Sequence, residues 1–252
     1  MSERGAICLV SGGVDSVTCL YYVKHLVKPR DLKIIFCNYG QRTFEEEEYC
    51  IKKIANLLNA ELKIIDLRWL GEISTSLLTK KDIEIPETKI EELFDQEKAR
   101  SRILRWWDPC RNAILILVAL AHAESLDIKY GIKYDVYIGI RRETPVAMKD
   151  NTPEFIEIMN KLVEHATHYG GYKIHAPLIT LDKDKVVKLG EELKVPWKYT
   201  YSCYRGGLGF AEVEGEKIPI HCGWCSNCRR RMLAFKEANI KDPSYYFKNS
   251  IK

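Results

Sequence analysis

Residues 6–26 combine an apolar run, a glycine-containing loop and a helical pattern in direct succession. Ala6-Ile7-Cys8-Leu9 is apolar, positions 10–16 read Val-Ser-Gly-Gly-Val-Asp-Ser, and helical spacing of apolar residues continues to Leu26. A buried strand followed by a tight turn and a helix start leaves backbone N–H groups free at the turn, where they bind anions. The two glycines let the backbone approach a ligand closely because they have no Cβ. This succession predicts a phosphate-binding loop at the end of a strand.

The polar side chains of this loop suit a nucleotide. Ser11 and Ser16 offer hydroxyl donors, and the carboxylate of Asp15 is a type of ligand that magnesium prefers. The loop lacks the Gly-Lys-Ser/Thr ending of a Walker loop and the third glycine of a dinucleotide-binding fingerprint. It resembles the PP-loop of the ATP pyrophosphatases, which split ATP into AMP and pyrophosphate while adenylating an oxygen. The alternative is an ordinary glycine turn capped by Ser and Asp.

Strand and helix patterns alternate along much of the chain. Strand patterns cover 6–10, 33–37, 61–67 and 136–140. Helical patterns cover 14–26, 44–58, 112–126 and 182–193. Alternation of this kind predicts an α/β fold with a doubly wound, mostly parallel sheet and helices on both faces. Ligands of such sheets bind at the carboxyl ends of the strands, where the Ser-Gly-Gly loop lies.

We divide the chain into an ATP-binding α/β domain, residues 1–200, and a small zinc-binding C-terminal unit, residues 201–252, within the same globule. Residues 70–107 interrupt the alternation: they are charged, contain Pro86 and end in Arg105-Trp106-Trp107. We interpret them as an inserted helical segment or lid over the site, and the alternative is a solvated excursion. Hydrophobic residues make up 46% of the chain and charged residues 29%, which are values of a globular protein.

Net charge and hydropathy limit the classes of partner that this chain could have. The net charge of +4 permits a nucleotide or RNA partner without requiring one. The longest apolar run, 113–121, is too short to span a bilayer. The apolar stretch after Arg4 is too short for a secretory signal. We therefore expect a cytoplasmic protein without a membrane partner.

Four of the nine cysteines have the spacing of metal ligands. Cys222, Cys225 and Cys228 form two consecutive C-x2-C steps, and Cys203 lies upstream of them. The two thiolates of a C-x2-C turn converge on one ion, and four thiolates at about 2.3 Å complete a closed, tetrahedral zinc site. An iron–sulfur cluster and a redox pair are the alternatives. We leave His221 out of the set because adjacent ligands rarely share a tetrahedral centre.

The remaining cysteines are scattered, and most have apolar neighbours, which is typical of small buried residues. They are Cys8, Cys19, Cys37, Cys50 and Cys110. Three arginines, Arg229–Arg231, follow the last metal cysteine, and we expect them to offset the negative charge of the thiolates.

The loop and the four cysteines, found in one chain, resemble the 7-cyano-7-deazaguanine synthase family of the QueC type. Matching stretches run nearly from end to end: 9–18, 38–42, 109–112, 137–139, Asp150 with 153–155, 176–178, 182–190, 202–204, 221–223, 228–229 and 242–243. The resemblance implies an adenine nucleotide α-hydrolase-like fold and an ATP-dependent ligase that forms C–N bonds. Members convert 7-carboxy-7-deazaguanine, ammonia and two ATP into the nitrile, two AMP and two pyrophosphates, on the route to queuosine and archaeosine in tRNA. The resemblance also implies a homodimer, magnesium bound with the ATP, and no stable nucleic-acid complex.

Carried over residue by residue, the resemblance places the ATP phosphates on Val10, Ser11, Gly12, Gly13, Val14, Asp15, Ser16, Val17 and Thr18. Asp15 is then catalytic, through magnesium. Cys203, Cys222, Cys225 and Cys228 hold a structural zinc ion away from the chemistry. The candidates for the substrate or adenylate pocket are Tyr39, Arg42, Arg111, Asn112, Asp150 and Glu154.

Some of these candidates have plain alternatives. Arg111 suits a bidentate clamp on a carboxylate or phosphate, or equally an ion pair at a helix start. Glu154 follows Pro153, as an ordinary acid in the first turn of a helix does. Asp150 or Glu154 also suits the N–H edge of a guanine-like ring.

The chain departs from the family pattern in two places. Val-Ala-Met-Lys-Asp-Asn-Thr at 146–152 stands where the family has an Asp-Tyr-Ser-Gly-Tyr-Pro-Asp-Cys-Arg-type run, and 206–220 lengthens the loop after the first metal cysteine. The first departure leaves open the transfer of an activated acid to another amine.

Two further functions stay open. One is direct tRNA modification, either lysidine formation or a thiolation for which Cys110 is the candidate thiol. The other is RNA binding by a zinc ribbon that would use the arginines 229–231 with Trp106, Trp107 and Trp224. Such a binder should show a steep salt dependence and no need for ATP.

Overall fold

A parallel β-sheet lies at the centre of the fold in the computed structural model, which describes residues 3–142, 146 and 148–247. The strands of this sheet are β1 (Gly5–Leu9), β2 (Leu32–Asn38), β3 (Glu61–Asp66), β4 (Tyr134–Ile138) and β5 (Ile174–His175). Their order is β3-β2-β1-β4-β5, and every neighbouring pair is parallel. The predicted doubly wound, mostly parallel α/β sheet is confirmed.

Helices cover both faces of the sheet. The α-helices of the described residues are α1 (Val14–Tyr22), α2 (Phe44–Leu58), α3 (Arg68–Ile73), α4 (Gln96–Ile103), α5 (Arg111–Tyr130), α6 (Pro153–Ala166), α7 (Lys183–Glu192) and α8 (Ser226–Ala238). Apolar side chains of α1, α2, α7 and α8 form the core on one face, and those of α5 and α6 form the core on the other. Successive residues of β1 alternate between these two cores, so the whole strand is buried. No helix in the described ranges has the length and apolar character needed to cross a membrane.

The loop after β1 lies where the order in which the chain adds strands to the sheet reverses. From β1 the chain runs through α1 to β2 on one side, whereas the strand on the other side, β4, arrives from α5. The crevice at the carboxyl ends of two such strands is where doubly wound sheets bind ligands. Gly139 follows β4 and packs closely on α1, since a Cβ there would lie 2.5 Å from Ser16 Cα. Residues 10–13 and 139–141 therefore border the same crevice.

Most predicted elements are present, with shifted ends. Helix α2 begins and ends at the predicted residues. Helix α5 covers Arg111–Tyr130 rather than 112–126, and it ends where Gly131 adopts a left-handed φ of 66°. Strand β4 begins before the predicted strand and ends at Ile138, because the chain turns at Gly139 to meet α1. The helix after the loop is α-helical to Tyr22 and continues as one π-helical turn, Val23–Val27.

The segment 206–220, expected as a long loop, contains a β-hairpin. Strand β6 (Phe210–Val213) pairs antiparallel with β7 (Glu216–His221), and β8 (Tyr245–Tyr246) pairs parallel with β7. Gly215, with a φ of 77°, lies in the turn. The sequence pattern did not indicate these strands because β6 is short and partly exposed, so its residues show little alternation.

Residues 70–107 pack on the C-terminal unit. Leu77, Leu78, Ile85 and Trp106 are buried against the clustered cysteines. The backbone N–H of Thr88 donates to the carbonyl of Trp224 at 3.0 Å. Parts of this segment are therefore packed, whereas 81–84 and 96–98 are exposed, and its role as a lid over the site stays a prediction.

Candidate active site

The loop after β1 presents the start of α1 to a cavity. Gly12 has a φ of 84°, in the left-handed region that glycine adopts without strain. Ser16 braces the loop, because its Oγ accepts from Ser11 N at 3.1 Å and donates to Gly13 O at 3.2 Å. Gly13 is the N-cap residue of α1 and has no side chain to cap the helix. The N–H groups of the first turn are therefore left for an anionic ligand.

Asp15 meets two cations at this loop. Lys183 Nζ, at the start of α7, lies 2.5 Å from Asp15 Oδ2, and Arg141 Nε, after β4, lies 3.5 Å from the same oxygen. Burial opposes ionisation of Asp15, but the charges of Lys183 and Arg141 outweigh it and hold the pKa of this carboxyl below its ordinary value. Oδ1 is buried and has no hydrogen-bond partner among the described residues. A loop rich in N–H groups, two cations and an ionised carboxylate suits a nucleotide phosphate with its metal ion.

The cavity has a volume of about 260 Å³ and joins this loop to a second group of side chains. Tyr39, Arg111 and Asn112 line it together with Trp106 and Tyr204. The guanidinium carbon of Arg111 lies 5.5 Å from the ring centre of Tyr39, a cation–π contact.

The guanidinium of Arg111 is also anchored behind the cavity. Arg111 Nη1 lies 3.1 Å from Asp108 Oδ2, and the side chain of Asp108 is fully buried. The predicted ion pair at the helix start is present, and the guanidinium that it orients still lines the cavity, so the clamp on a carboxylate or phosphate stays a prediction.

The four predicted metal cysteines converge. The sulfur atoms of Cys203, Cys222, Cys225 and Cys228 all lie within 4.8 Å of one another. Cys222 Sγ and Cys228 Sγ are 3.8 Å apart. Four ligands at the usual zinc–sulfur distance lie about 3.8 Å from one another at the corners of a tetrahedron. The cluster therefore fits a single metal ion with thiolate ligands.

Backbone N–H groups complete the surroundings of these sulfurs. Arg205 N and Cys222 N donate to Cys203 Sγ at 3.3 and 3.4 Å, and Tyr204 N donates to Cys225 Sγ at 3.4 Å. Such donors stabilise the thiolate form that metal binding requires. His221 is not one of the converging ligands, and its Nε2 accepts from Ser202 N at 3.1 Å.

A sequence model of the family described as "Queuosine biosynthesis protein QueC" matches residues 5–239. The chain belongs to the QueC family. The resemblance inferred from the loop and the cysteines is thereby confirmed, and so is the assignment to a family of enzymes.

QueC-family relatives align along nearly the whole chain. A 7-cyano-7-deazaguanine synthase from Methanococcus maripaludis is 38% identical over 246 residues, which is 96% of this chain and 98% of the relative. A protein of the same name from Methanocaldococcus jannaschii is 38% identical over 247 residues, with the same coverage. Among solved structures, the U34-tRNA thiolase NcsA from Methanococcus maripaludis, with its [4Fe-4S] cluster, superposes with a TM-score of 0.43 and 15% identity, covering 95% of this chain and 67% of that one.

Not every residue that the QueC resemblance singled out faces the cavity. Val10, Ser11, Gly13, Val14, Asp15 and Ser16 line it. Gly12, Val17 and Thr18 are not among the lining residues. Gly12 forms the left-handed bend, Val17 belongs to the hydrophobic core, and Thr18 is buried one turn into α1.

The substrate candidates divide in the same way. Arg42 is not among the lining residues. Its guanidinium donates to the carbonyls of Arg205 and Ile83, both at 2.7 Å. Glu154 is exposed at the start of α6 and lies outside the cavity lining, so its position agrees with the alternative of a first-turn acid.

Asp150 is buried behind the cavity, and its Oδ1 has no hydrogen-bond partner among the described residues. Burial raises the pKa of Asp150, and the charge of Arg111 opposes that rise. Asn112 Nδ2 connects this segment to α5 by donating to Asn151 Oδ1 at 3.0 Å. Met148 and Asn151, from the segment that departs from the QueC pattern, line the cavity, whereas Ala147 lies outside the described residues.

One expectation about the four-cysteine cluster needs correction. Cys203 lines the cavity, so the cluster lies beside the candidate active site rather than away from it. Arg231 is fully buried and forms an ion pair with Asp242, its Nε lying 3.0 Å from Oδ2. It therefore has a carboxylate partner besides the thiolates and is not part of an exposed basic surface, which removes one of the arginines that a zinc-ribbon RNA binder would use.

The scattered cysteines also differ from one another. Cys8, Cys19, Cys37 and Cys50 are buried as expected, but Cys110 is exposed. Its backbone adopts a φ of 55° before α5, and this turn directs it to the surface, outside the cavity lining. Cys37 lines the cavity, and burial raises the pKa of its thiol to about 12. A protonated thiol is a poor nucleophile, which disfavours thiolation at this site.

Among the charged side chains of the described cavity lining, sequence reasoning missed three. Lys183 and Arg141 reach Asp15 from distant parts of the chain, and Glu47 lines the cavity from α2. The match of 182–190 to the QueC pattern was the available signal for Lys183. Glu47 stands in a run of four glutamates, and acidic residues are ordinary in the first turns of a helix, so nothing in the sequence marked it as a cavity residue.

Proposed function

We propose that this chain is a 7-cyano-7-deazaguanine synthase that converts 7-carboxy-7-deazaguanine and ammonia into the nitrile with ATP. Relatives of that name align over 96% of the chain at 38% identity. The observation that carries the proposal is the shared cavity, because the phosphate loop and the guanidinium of Arg111 line the same space. A carboxylate held by Arg111 would thus meet the nucleotide on the loop.

The first step is adenylation of the substrate acid. A carboxylate is a poor electrophile, and its adenylate supplies a leaving group. The substrate oxygen attacks the α-phosphorus of ATP, and pyrophosphate departs. The N–H groups at the start of α1, together with Lys183 and Arg141, stabilise the charge that develops on the departing pyrophosphate.

Asp15 suits a magnesium ion bound with ATP. Its Oδ1 is buried and unpartnered among the described residues, while Oδ2 faces Lys183. When bound, magnesium offsets the negative charge of the phosphates. The ion pair with Lys183 keeps the carboxylate ionised and holds the ammonium group of the lysine beside the loop.

The side chains opposite the loop recognise the substrate. Arg111, fixed by Asp108, forms a bidentate contact to the carboxylate, and Tyr39 and Asn112 border the same pocket. Asp150 is not among the lining residues, and its carboxyl interacts electrostatically with Arg111, so it supports that guanidinium rather than contacting the substrate.

In the proposed reaction the same carbon atom is activated by adenylation twice. Ammonia displaces AMP from the adenylate and gives the amide. A second ATP adenylates the amide oxygen, and loss of AMP leaves the nitrile. One cavity serves both rounds, which gives two AMP and two pyrophosphates for each product.

The proposal includes a structural zinc ion on the four cysteines, whose spacing suits one tetrahedral ion. Residues 1–200 bind ATP, residues 201–252 hold the metal, and the two parts share a core through α8. We further propose a cytoplasmic homodimer that forms no stable complex with nucleic acid.

Mass spectrometry of 7-carboxy-7-deazaguanine incubated with the protein, ATP, magnesium and ammonium tests the proposal. We expect the nitrile, with two AMP released per product. AMP release that stops at the amide, or that requires another acid or amine, would reject this reaction and keep only the ATP chemistry. The segment 146–152, whose sequence differs from the QueC pattern, would then be the place to look for contacts to an altered substrate.

A further inference from the structure

Glu47 presents a second carboxylate to the cavity, and neutral groups hold it in place. Thr43 Oγ1 donates to Glu47 Oε1 at 2.6 Å, and Gln41 Nε2 donates to Glu47 Oε2 at 3.0 Å. Gln41 is itself fixed, because its Oε1 accepts from Tyr39 N at 2.9 Å and its Nε2 donates to Cys37 O at 3.1 Å. Each carboxylate oxygen is oriented by one donor and keeps capacity for another.

Glu47 lies close to the phosphate loop, residues 10–16. A Cβ built on Gly12 would lie 3.5 Å from the backbone oxygen of Glu47, so α2 packs directly on the loop. The described cavity lining contains two carboxylates, Asp15 and Glu47. Asp15 is engaged by Lys183 at 2.5 Å, whereas the hydrogen-bond donors to Glu47 are a hydroxyl and an amide. Its charge is thus available to a cation in the cavity.

The surroundings of Glu47 favour proton transfer near neutral pH. Burial raises the pKa of Glu47 to about 7, the hydrogen bonds from Thr43 and Gln41 oppose the rise, and Glu46 adds to it. Arg111 from α5 acts in the opposite direction. The other ionisable groups that interact with it are the phenol of Tyr39 and the thiol of Cys50, and burial keeps both protonated. A group with a pKa near the working pH is suited to general acid–base catalysis.

The proposed reaction needs such a group. At neutral pH the nitrogen donor is mainly ammonium, which has no lone pair with which to attack. Of the other charged side chains in the described lining, Arg111, Arg141 and Lys183 are cations that would repel it. We propose that the carboxylate of Glu47 binds the ammonium ion and accepts its proton. This inference rests on the synthase function proposed above.

Amide formation removes two protons from ammonium, one to Glu47 and one to AMP. Ammonium gives one proton to Glu47, and the lone pair released forms the C–N bond to the acyl carbon of the adenylate. The C–O bond to AMP breaks, and its electron pair goes to the phosphate oxygen. The second nitrogen proton leaves with AMP, which gives the neutral amide and protonated Glu47. Water then takes the proton from Glu47.

The variant Glu47→Gln tests this role with little change in shape. Its amide can accept from Gln41 and donate to the hydroxyl of Thr43. The matched control is Glu48→Gln, on the same helix, where Glu48 pairs with Lys52 at 2.9 Å and does not line the cavity. Three readouts are compared: substrate-dependent ATP–pyrophosphate exchange, nitrile formation from ammonium, and hydroxamate formation from hydroxylamine, which is largely unprotonated at neutral pH.

We expect Glu47→Gln to lose about 10²- to 10⁴-fold in nitrile formation. It should keep exchange and hydroxamate formation near the wild-type rates, because neither needs a proton removed from ammonium. Normal nitrile formation by the variant, or equal losses in all three readouts, would overturn the role of Glu47. Absence of substrate-dependent exchange in the wild type would instead overturn the synthase proposal, and this inference with it.

Discussion

The buried ion pair between Arg231 and Asp242 is the contact whose loss we expect to destabilise the fold most. Arg231 is fully buried in α8, and both Nε and Nη2 donate to Asp242, at 3.0–3.2 Å. Its Nη1 donates to Thr200 Oγ1 at 2.8 Å, and its Nη2 to the carbonyl of Trp197 at 3.3 Å. One guanidinium therefore ties α8 to the segment that ends at Thr200 and to the segment that follows the helix.

The change Arg231→Met keeps the length of the side chain and removes the charge. Asp242 would keep the hydroxyl of Tyr246, at 2.6 Å, and the N–H of Ser244, at 3.0 Å, but its charge would be buried without a counter-ion. Removing one partner of a buried pair costs about 3–5 kcal/mol. Each kcal/mol lowers the Tm of a domain of this size by about 2–4 °C, so we expect a fall of roughly 10 °C.

Thermal and denaturant unfolding of the metal-loaded protein would measure this loss. The double variant Arg231→Met/Asp242→Asn is the matched control, because it removes both charges and leaves a neutral amide in place of the carboxylate. We expect it to recover about 2 kcal/mol relative to the single variant. A single variant within 1 kcal/mol of the wild type, or a double variant no more stable than the single one, would refute the assignment of the cost to an unpaired charge.

Three further predictions concern the loop, the metal unit and acid stability. Asp15→Ala should lower pyrophosphate release about 100-fold or more while fold and bound metal stay intact; unchanged turnover would remove Asp15 from the mechanism. Cys225→Ala should yield insoluble or metal-free protein, since such sites supply on the order of 10 kcal/mol, whereas the exposed Cys110→Ala should stay loaded by elemental analysis. Burial raises the pKa of Asp242, but Arg231 and Tyr246 lower it by more, so the pKa in the folded state lies below its ordinary value. The stabilisation that Asp242 contributes is therefore present above its unfolded pKa of about 4 and is lost as pH falls below that value. The stability difference between wild type and Asp242→Asn should therefore shrink in acid, and a constant difference in denaturant titrations from pH 7 to pH 3 would contradict the reasoning.

Local patterns predicted the parts of this protein that depend on neighbours in sequence. Helix α2 begins and ends where the spacing of apolar residues indicated, and β1, β2 and β3 lie within a residue or so of the predicted strands. Both periodicities are properties of short segments, so they can be detected in the sequence alone. The loop at 10–16 and the metal cysteines 222–228 are equally local, since a few adjacent residues supply most of the geometry.

The errors fall where a residue's environment comes from elsewhere in the chain. We expected Cys110 to be a small buried residue, but the left-handed turn before α5 exposes it. The hairpin of β6 and β7 is short and partly exposed, so no alternating pattern marked it. Arg231 follows Cys228 closely, yet its carboxylate partner comes from beyond the end of α8.

The sequence by itself determined the class of sheet, the loop between β1 and α1 and the clustering of Cys222, Cys225 and Cys228, because each is specified by patterns among residues close together in the chain. Only the tertiary structure decided which charges meet that loop. Lys183 is 168 positions from Asp15, and Arg141 comes from the end of a different strand. Glu47 belongs to a glutamate-rich helix start and became a cavity residue only when α2 packed against Gly12. Contacts at such separations are set by how helices and strands pack, and spacing along the chain does not encode them.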